Sequence, residues 1–216
     1  TEAIEAGQAS LEHTTALMEV VIPREAARSV DGFEAAILSF EREQAPALYR
    51  EMAQRGVWFT PTLVAARGSW QRFVADSTIR RDPTVAASIR AWWADVYPIP
   101  QNVPDGLVRG RKLAFERSLH LVHEMHEAHV HLLAGTDVGA FGVLPGASLH
   151  EELELLVQAG LTPTEALATA TLEPARFLGR EGDAGRIAVG QRADLVLLRQ
   201  NPLEQISAVR GVVGVV

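Results

Sequence analysis

Apolar positions along the chain fall into two patterns. Short uninterrupted runs alternate with stretches in which apolar residues recur every three to four positions. The first pattern suits strands and the second suits helices, and their alternation predicts βαβ units around a parallel sheet. Residues 2–7 read as a helix end closed by Gly7, followed by a very short strand, Ser10-Leu11-Glu12-His13. Phe33, Ala36, Ile37, Phe40, Leu48 and Met52 mark helix over 32–55, with Pro46 dividing it in two and Gly56 ending it. Val57-Trp58-Phe59-Thr60-Pro61-Thr62-Leu63 is β-branched and aromatic, so it predicts a strand that ends near Pro61. Helical pieces follow at 68–76 and 84–94, then a longer helix at 111–128. Val130-His131-Leu132-Leu133-Ala134 predicts a buried strand that stops at Gly135-Thr136-Asp137.

Two helix starts carry their own chemistry. Ser148-Leu149-His150-Glu151 and Thr162-Pro163-Thr164-Glu165 both have the capping-box spacing, the second with Pro at the first helical position. Beyond residue 180 glycines punctuate the chain, and 186–189 with 193–198 read as a β-hairpin. Residues 209–216 read as a last strand that needs a partner.

Composition narrows the function classes. A chain of 216 residues with 47% hydrophobic content can bury a sizeable core and corresponds to one or two domains. A net charge of −7 argues against nucleic acid as a partner, and the short basic cluster Arg109, Arg111, Lys112 reads as a solvated helix face. Cysteine is absent, which excludes disulfides, thiolate metal sites and Cys nucleophiles. No apolar run reaches the roughly 18 residues of a membrane span, and no signal peptide is visible, so a membrane partner is not expected and a cytoplasmic location is.

Asp137 is the leading candidate for chemistry. It directly follows a buried strand, and polar residues at the carboxyl ends of parallel strands line the sites of α/β folds. The competing reading is a cap for the turn that follows. His13 holds the equivalent place after the first short strand, where an imidazole and a carboxylate together would suit zinc or a similar ion; a structural histidine is the alternative. His120, His123, His126 and His129 step around a helix and read as solvated, His131 as strand packing, and His150 as a residue that could reach substrate. The aromatic segment 67–110 holds Trp70, Trp92, Trp93 and Tyr97, which read equally as a lid or pocket wall and as an outer helical layer. No phosphate loop, nucleophile elbow or dinucleotide fingerprint is present.

Taken in order, Ser-Leu-Glu-His13, Val-Trp-Phe-Thr-Pro-Thr-Leu63 and Leu-Ala-Gly-Thr-Asp137 resemble the amidohydrolase superfamily. The helix pair from Leu149 to Leu167, then Gly185-Arg-Ile-Ala-Val-Gly190, Ala193-Asp194-Leu-Val-Leu-Leu198 and Asn201-Pro202 extend the likeness to its imidazolonepropionase-like and Xaa-Pro dipeptidase-like branch. The resemblance implies an α/β protein: a partial (β/α)8 TIM-type barrel contributing its last three strands over 1–179, and part of a small β-sandwich over 180–216. It implies a metal-dependent hydrolase of C–N bonds in amides, cyclic amides or dipeptides. The cofactor would be one or two divalent ions, zinc by preference, with His13 and Asp137 as ligands and Asp137 also handling the proton of the attacking water. The family's His-x-His, its bridging carboxylate and its fifth-strand His have no counterpart here, so the chain reads as a carboxy-terminal half whose partner is the missing amino-terminal half. Such a half would be inactive alone and prone to self-association. The alternative is a non-catalytic remnant that binds a complementary chain; a small-molecule-binding α/β protein is a weaker third reading.

Overall fold

The computed structural model describes residues 2–73, 83, 85–98 and 102–216. A one-turn helix α1 (Glu2–Glu5) leads to β1 (Ser10–Glu12), and α2 (Thr14–Val21) starts directly at the strand's end. After a 3-10 turn at Ala26–Arg28 come α3 (Val30–Glu43), α4 (Ala45–Arg55) and β2 (Trp58–Thr60). The expected break at Pro46 is there, with Pro in the first turn of α4, and Gly56 closes α4 with a left-handed φ of 64°. β2 is shorter than its apolar run, because Leu63 already begins α5 (Leu63–Gln71). Helices α6 (Ala87–Val96) and α7 (Asp105–Glu127) follow, then β3 (His131–Leu132). Helix α5 starts five residues before the expected piece at 68–76, of which residues 74–76 lie outside the described residues, as does residue 84 of the second piece. Helix α7 starts at Asp105, well before 111, with Pro104 supplying an extended N-cap and Asp105 an acid in the first turn.

The three strands form one parallel sheet in the order β1-β2-β3. Register sets Ser10 beside Trp58 and Trp58 beside His131 in one row, and Leu11, Phe59 and Leu132 in the next. Side chains alternate across a strand, so the second row faces the helices. Phe59 and Leu132 are buried there with Tyr49 and Met52 of α4, Leu63 and Val64 of α5, and Leu121, Val122 and Met125 of α7. The first row faces away from that core. His131 is exposed there; its ring stacks on Trp58 with centroids 4.4 Å apart, and Phe177 meets Trp58 edge-on.

Helices α8 (Ala147–Gln158), α9 (Pro163–Thr169) and α10 (Leu172–Phe177) close this part of the chain. The capping box at Thr162 and Glu165 forms in both directions: Thr162 N–H donates to Glu165 Oε2 at 2.8 Å, and Glu165 N–H donates to Thr162 Oγ1 at 3.3 Å. The box expected at Ser148 and Glu151 does not form. Gly146 is the N-cap, Ser148 lies inside α8 and accepts from Leu144 N–H at 2.7 Å, and Glu151 pairs instead with Arg67 of α5. The expected hairpin is also absent. Ile187 and Val189 are fully exposed outside any strand, and β4 (Val196–Leu198) pairs antiparallel with β5 (Val212–Val215), the partner the last strand needed.

Candidate active site at the strand carboxyl ends

Three residues that close the three parallel strands share an unusual backbone. His13 after β1 has φ 66°, Thr62 after β2 has φ 51°, and Asp137 after β3 has φ 56°. Non-glycine residues avoid this region, and such conformations persist only where the surroundings hold them, commonly at functional sites. Here the surroundings are identifiable. His13 N–H donates to Thr60 O at 2.9 Å and Thr14 N–H to Pro61 O at 3.2 Å, so the ladder between β1 and β2 runs on past the strands. Leu133 N–H donates to Phe59 O at 3.0 Å on the other side. Gly135 passes so close to Thr60 that a Cβ would overlap its side-chain methyl, which is the physical reason for glycine in Gly-Thr-Asp137.

His13 and Asp137 thus stand at the same end of β1 and β3, with Thr62 between them. Neighbouring strands lie roughly 4.8 Å apart, so the outer two are separated by about 10 Å. The half-buried His13 ring places Nδ1 2.9 Å from Thr62 Oγ1. Asp137 is exposed, and its carbonyl accepts from Ala140 N–H at 3.0 Å in a tight turn.

The loop that carries Asp137 is braced from two sides. Gly68 of α5 fits against the Phe141 carbonyl with no room for a Cβ. From above, fully buried Trp93 of α6 packs on Phe141 with centroids 5.2 Å apart, and Tyr97 OH donates to Gly139 O at 3.4 Å. Trp93 and Tyr97 therefore act on the loop behind Asp137, while Trp92 is exposed and Trp70 joins the main core. His150 sits one turn from Glu154, whose charge it helps to stabilise beside Arg210, on the face of α8 that carries this ion pair. His120 lies between Glu41 and Glu124, and His126 within 3.5 Å of Glu165, so both belong to helix-surface charge clusters.

One residue with no sequence-level candidacy is wired into the site. Glu152 of α8 is wholly buried, and its two carboxylate oxygens accept from Leu63 N–H at 2.9 Å and Val64 N–H at 2.7 Å. Burial pushes its carboxyl up to about 7, against the two amides and Arg67, which favour the charged form. The available signal was its place on the buried stripe Ser148, Glu152, Leu155, Leu156, Ala159.

The donors at the strand ends suit a divalent ion in kind. With Nδ1 engaged by Thr62, His13 keeps Nε2 for a ligand bond, and Asp137 offers an exposed carboxylate. They fall short in number: among the described residues no group of three or more His, Asp or Glu is placed to hold a metal, and zinc sites use three or four protein ligands.

A parallel α/β sheet with imidazole and carboxylate at its carboxyl edge defines a class of enzyme-type folds. Within that class the chain belongs to the amidohydrolase family, whose sequence profile matches residues 1–216. Among curated relatives, an imidazolonepropionase of Rubrobacter xylanophilus is 42% identical over 59 residues, 25% of this chain and 14% of that protein. A 5'-deoxyadenosine deaminase of Methanobrevibacter smithii is 46% identical over 55 residues, 26% of this chain and 13% of that protein. Among solved structures, bottromycin amidohydrolase matches all of this chain and 50% of its own with TM-score 0.66 at 23% identity. A Xaa-Pro dipeptidase with bound methionine in its active site matches 99% of this chain and 39% of its own with TM-score 0.60 at 22% identity. The chain thus spans half or less of these two solved structures, and its fold is similar to theirs. No helix among the described residues is long and apolar enough to cross a membrane.

Proposed function

We propose that this chain forms the last three strands of a (β/α)8 barrel, over 1–179, and part of a β-sandwich, over 180–216, in a metal-dependent hydrolase of C–N bonds. The observation that carries the proposal is the positive φ shared by His13, Thr62 and Asp137 at one edge of the sheet. Two further features support the architecture. One face of the sheet carries the helical core, while the other carries, among the described residues, only Trp58, His131 and the end of α10, whereas parallel sheets are covered on both. The two-stranded β4-β5 sheet exposes Val196, Leu197, Val213 and Val215, and such a ribbon is marginal without additional strands.

In this reading His13 and Asp137 are the chain's share of a zinc site. A divalent ion held there supplies Lewis-acid polarisation of the scissile carbonyl and of the attacking water. Asp137 accepts a proton from that water on its carboxylate and passes it to the leaving nitrogen, so amide and water become acid and amine. The exposed position of Asp137 gives water access, and the turn braced by Trp93, Phe141 and Gly68 keeps its carboxylate in place. With the first five strands supplied, Asp137→Asn should lower kcat on a panel of dipeptides, N-acyl amino acids and cyclic amides by about 10²–10⁴-fold, the usual worth of general acid–base catalysis. Turnover within a few-fold of the unsubstituted enzyme would remove Asp137 from the mechanism. The short donor set favours a second reading, a non-catalytic remnant that assembles with a complementary chain; a completed barrel that holds no zinc would favour it.

A further inference from the structure

We propose that Glu152 is a positioning residue for His13, acting through Thr62 to set which ring nitrogen faces the site. The inference rests on the reading of His13 as a ligand and adds two residues to it. Thr62 is the N-cap of α5, and a threonine there ordinarily accepts from an amide of its own first turn. It makes no such bond. Its hydroxyl is turned to His13 Nδ1 at 2.9 Å, and the first two amides of the helix, those of Leu63 and Val64, are met by the two oxygens of Glu152. Glu152 thus does the capping from 90 residues away and frees the Thr62 hydroxyl for the imidazole.

The arrangement has a directional consequence. A ligand nitrogen must be unprotonated, so for His13 to offer Nε2 its proton must lie on Nδ1 and be donated to Thr62 Oγ1. A hydroxyl can donate or accept, so the Thr62 contact fixes the orientation of the ring, and Nε2 is open to a ligand only in the tautomer in which Thr62 Oγ1 accepts. What holds Thr62 is the left-handed turn at φ 51°, and what fixes that turn is the start of α5 clasped by Glu152. The adjacent Glu151 to Arg67 ion pair ties the same two helices at their surface, so the clasp has a polar rim and a buried centre.

The test needs neither metal nor substrate. Long-range proton–nitrogen spectra of this chain labelled with 15N-histidine, with the unlabelled first five strands supplied and metal removed, recorded where His13 is neutral, report the tautomer directly. The expected result is a pyrrole-type Nδ1 and a pyridine-type Nε2 at His13. Thr62→Val should move both signals toward the averaged values of a free imidazole, and Thr62→Ser should restore them. Glu152→Gln, which can satisfy only one of the two amides, should shift His13 in the same direction as Thr62→Val while leaving the signals of His120 and His126 unmoved. A proton on Nε2 in the unsubstituted chain, or His13 signals identical in Thr62→Val, would overturn the proposal. So would an unmoved His13 in a folded Glu152→Gln chain. Should Glu152→Gln not fold, Glu152→Asp, whose shorter side chain draws the carboxylate back from the Leu63 and Val64 amides, takes its place, and an unmoved His13 there would equally overturn the proposal. Failure of the hydrolase reading shows elsewhere, in zinc content and turnover, and leaves this tautomer result standing.

Discussion

A methyl group at position 135 would overlap the Thr60 side chain, whereas one at position 56 would meet nothing within 4 Å. The two glycines are therefore needed for different reasons, and their alanine variants separate them. Gly135→Ala forces β3 away from β2 beside the site and should cost about 1–3 kcal/mol, the range for overpacking. Gly56→Ala should cost about 1–2 kcal/mol from its left-handed backbone alone, with His13 and Asp137 undisturbed. Urea unfolding measures both; a neutral Gly135→Ala would contradict the close approach. Glu152 makes a pH prediction at the same scale. Its folded pKa, about 7, lies above the unfolded value near 4.5, so its favourable contribution is complete below pH 4.5 and is lost as pH rises through 7. Relative to Glu152→Gln, the unsubstituted chain should lose on the order of 3 kcal/mol of unfolding free energy between pH 4.5 and 8. Parallel pH profiles for the two chains would contradict it. His13 and Asp137 stand out in the sequence because each follows a short predicted strand. Glu152 does not, since a glutamate in an amphipathic helix reads as solvated and the amides it serves lie in another helix.

Elements were legible where their boundary chemistry is local. Gly56, Pro46 and the reciprocal pair Thr162 and Glu165 act within one turn, and each does in the structure what its residue type dictates. Thr162→Ala should accordingly destabilise the chain by about 0.5–2 kcal/mol in urea unfolding, and no change would remove the capping role. Boundaries moved where a distant partner decided. Ser148 has the spacing of a cap, yet Arg67 claims Glu151 and the Leu144 amide claims Ser148. Residues 186–189 have strand composition, yet β4 finds its partner in β5, beyond a 3-10 turn at Ile206–Arg210, because pairing is chosen by what packs nearby and not by the shortest connection. The braced loop at 137–144 combines both cases: its glycines announce a loop, while Trp93 and Phe141, which hold it, come from segments whose contact no local pattern specifies.

For the whole molecule, α/β class and a parallel sheet followed from the alternation of strand runs and helical stretches, and the family followed from motifs spread across the chain. Val196 and Leu197 of β4 with Val212, Val213 and Val215 of β5 place apolar side chains at the surface, and exposed apolar surface favours association. The isolated 216-residue chain should therefore self-associate in light scattering, and a monodisperse monomer would count against the half-barrel architecture. The most direct test of a shared site at His13 and Asp137 is zinc content by elemental analysis, with the first five strands supplied. At least one zinc per completed barrel is expected, falling to a small fraction in His13→Ala and in the isolated chain. An equal zinc content with and without His13 would contradict the assignment of these strand ends as the metal site.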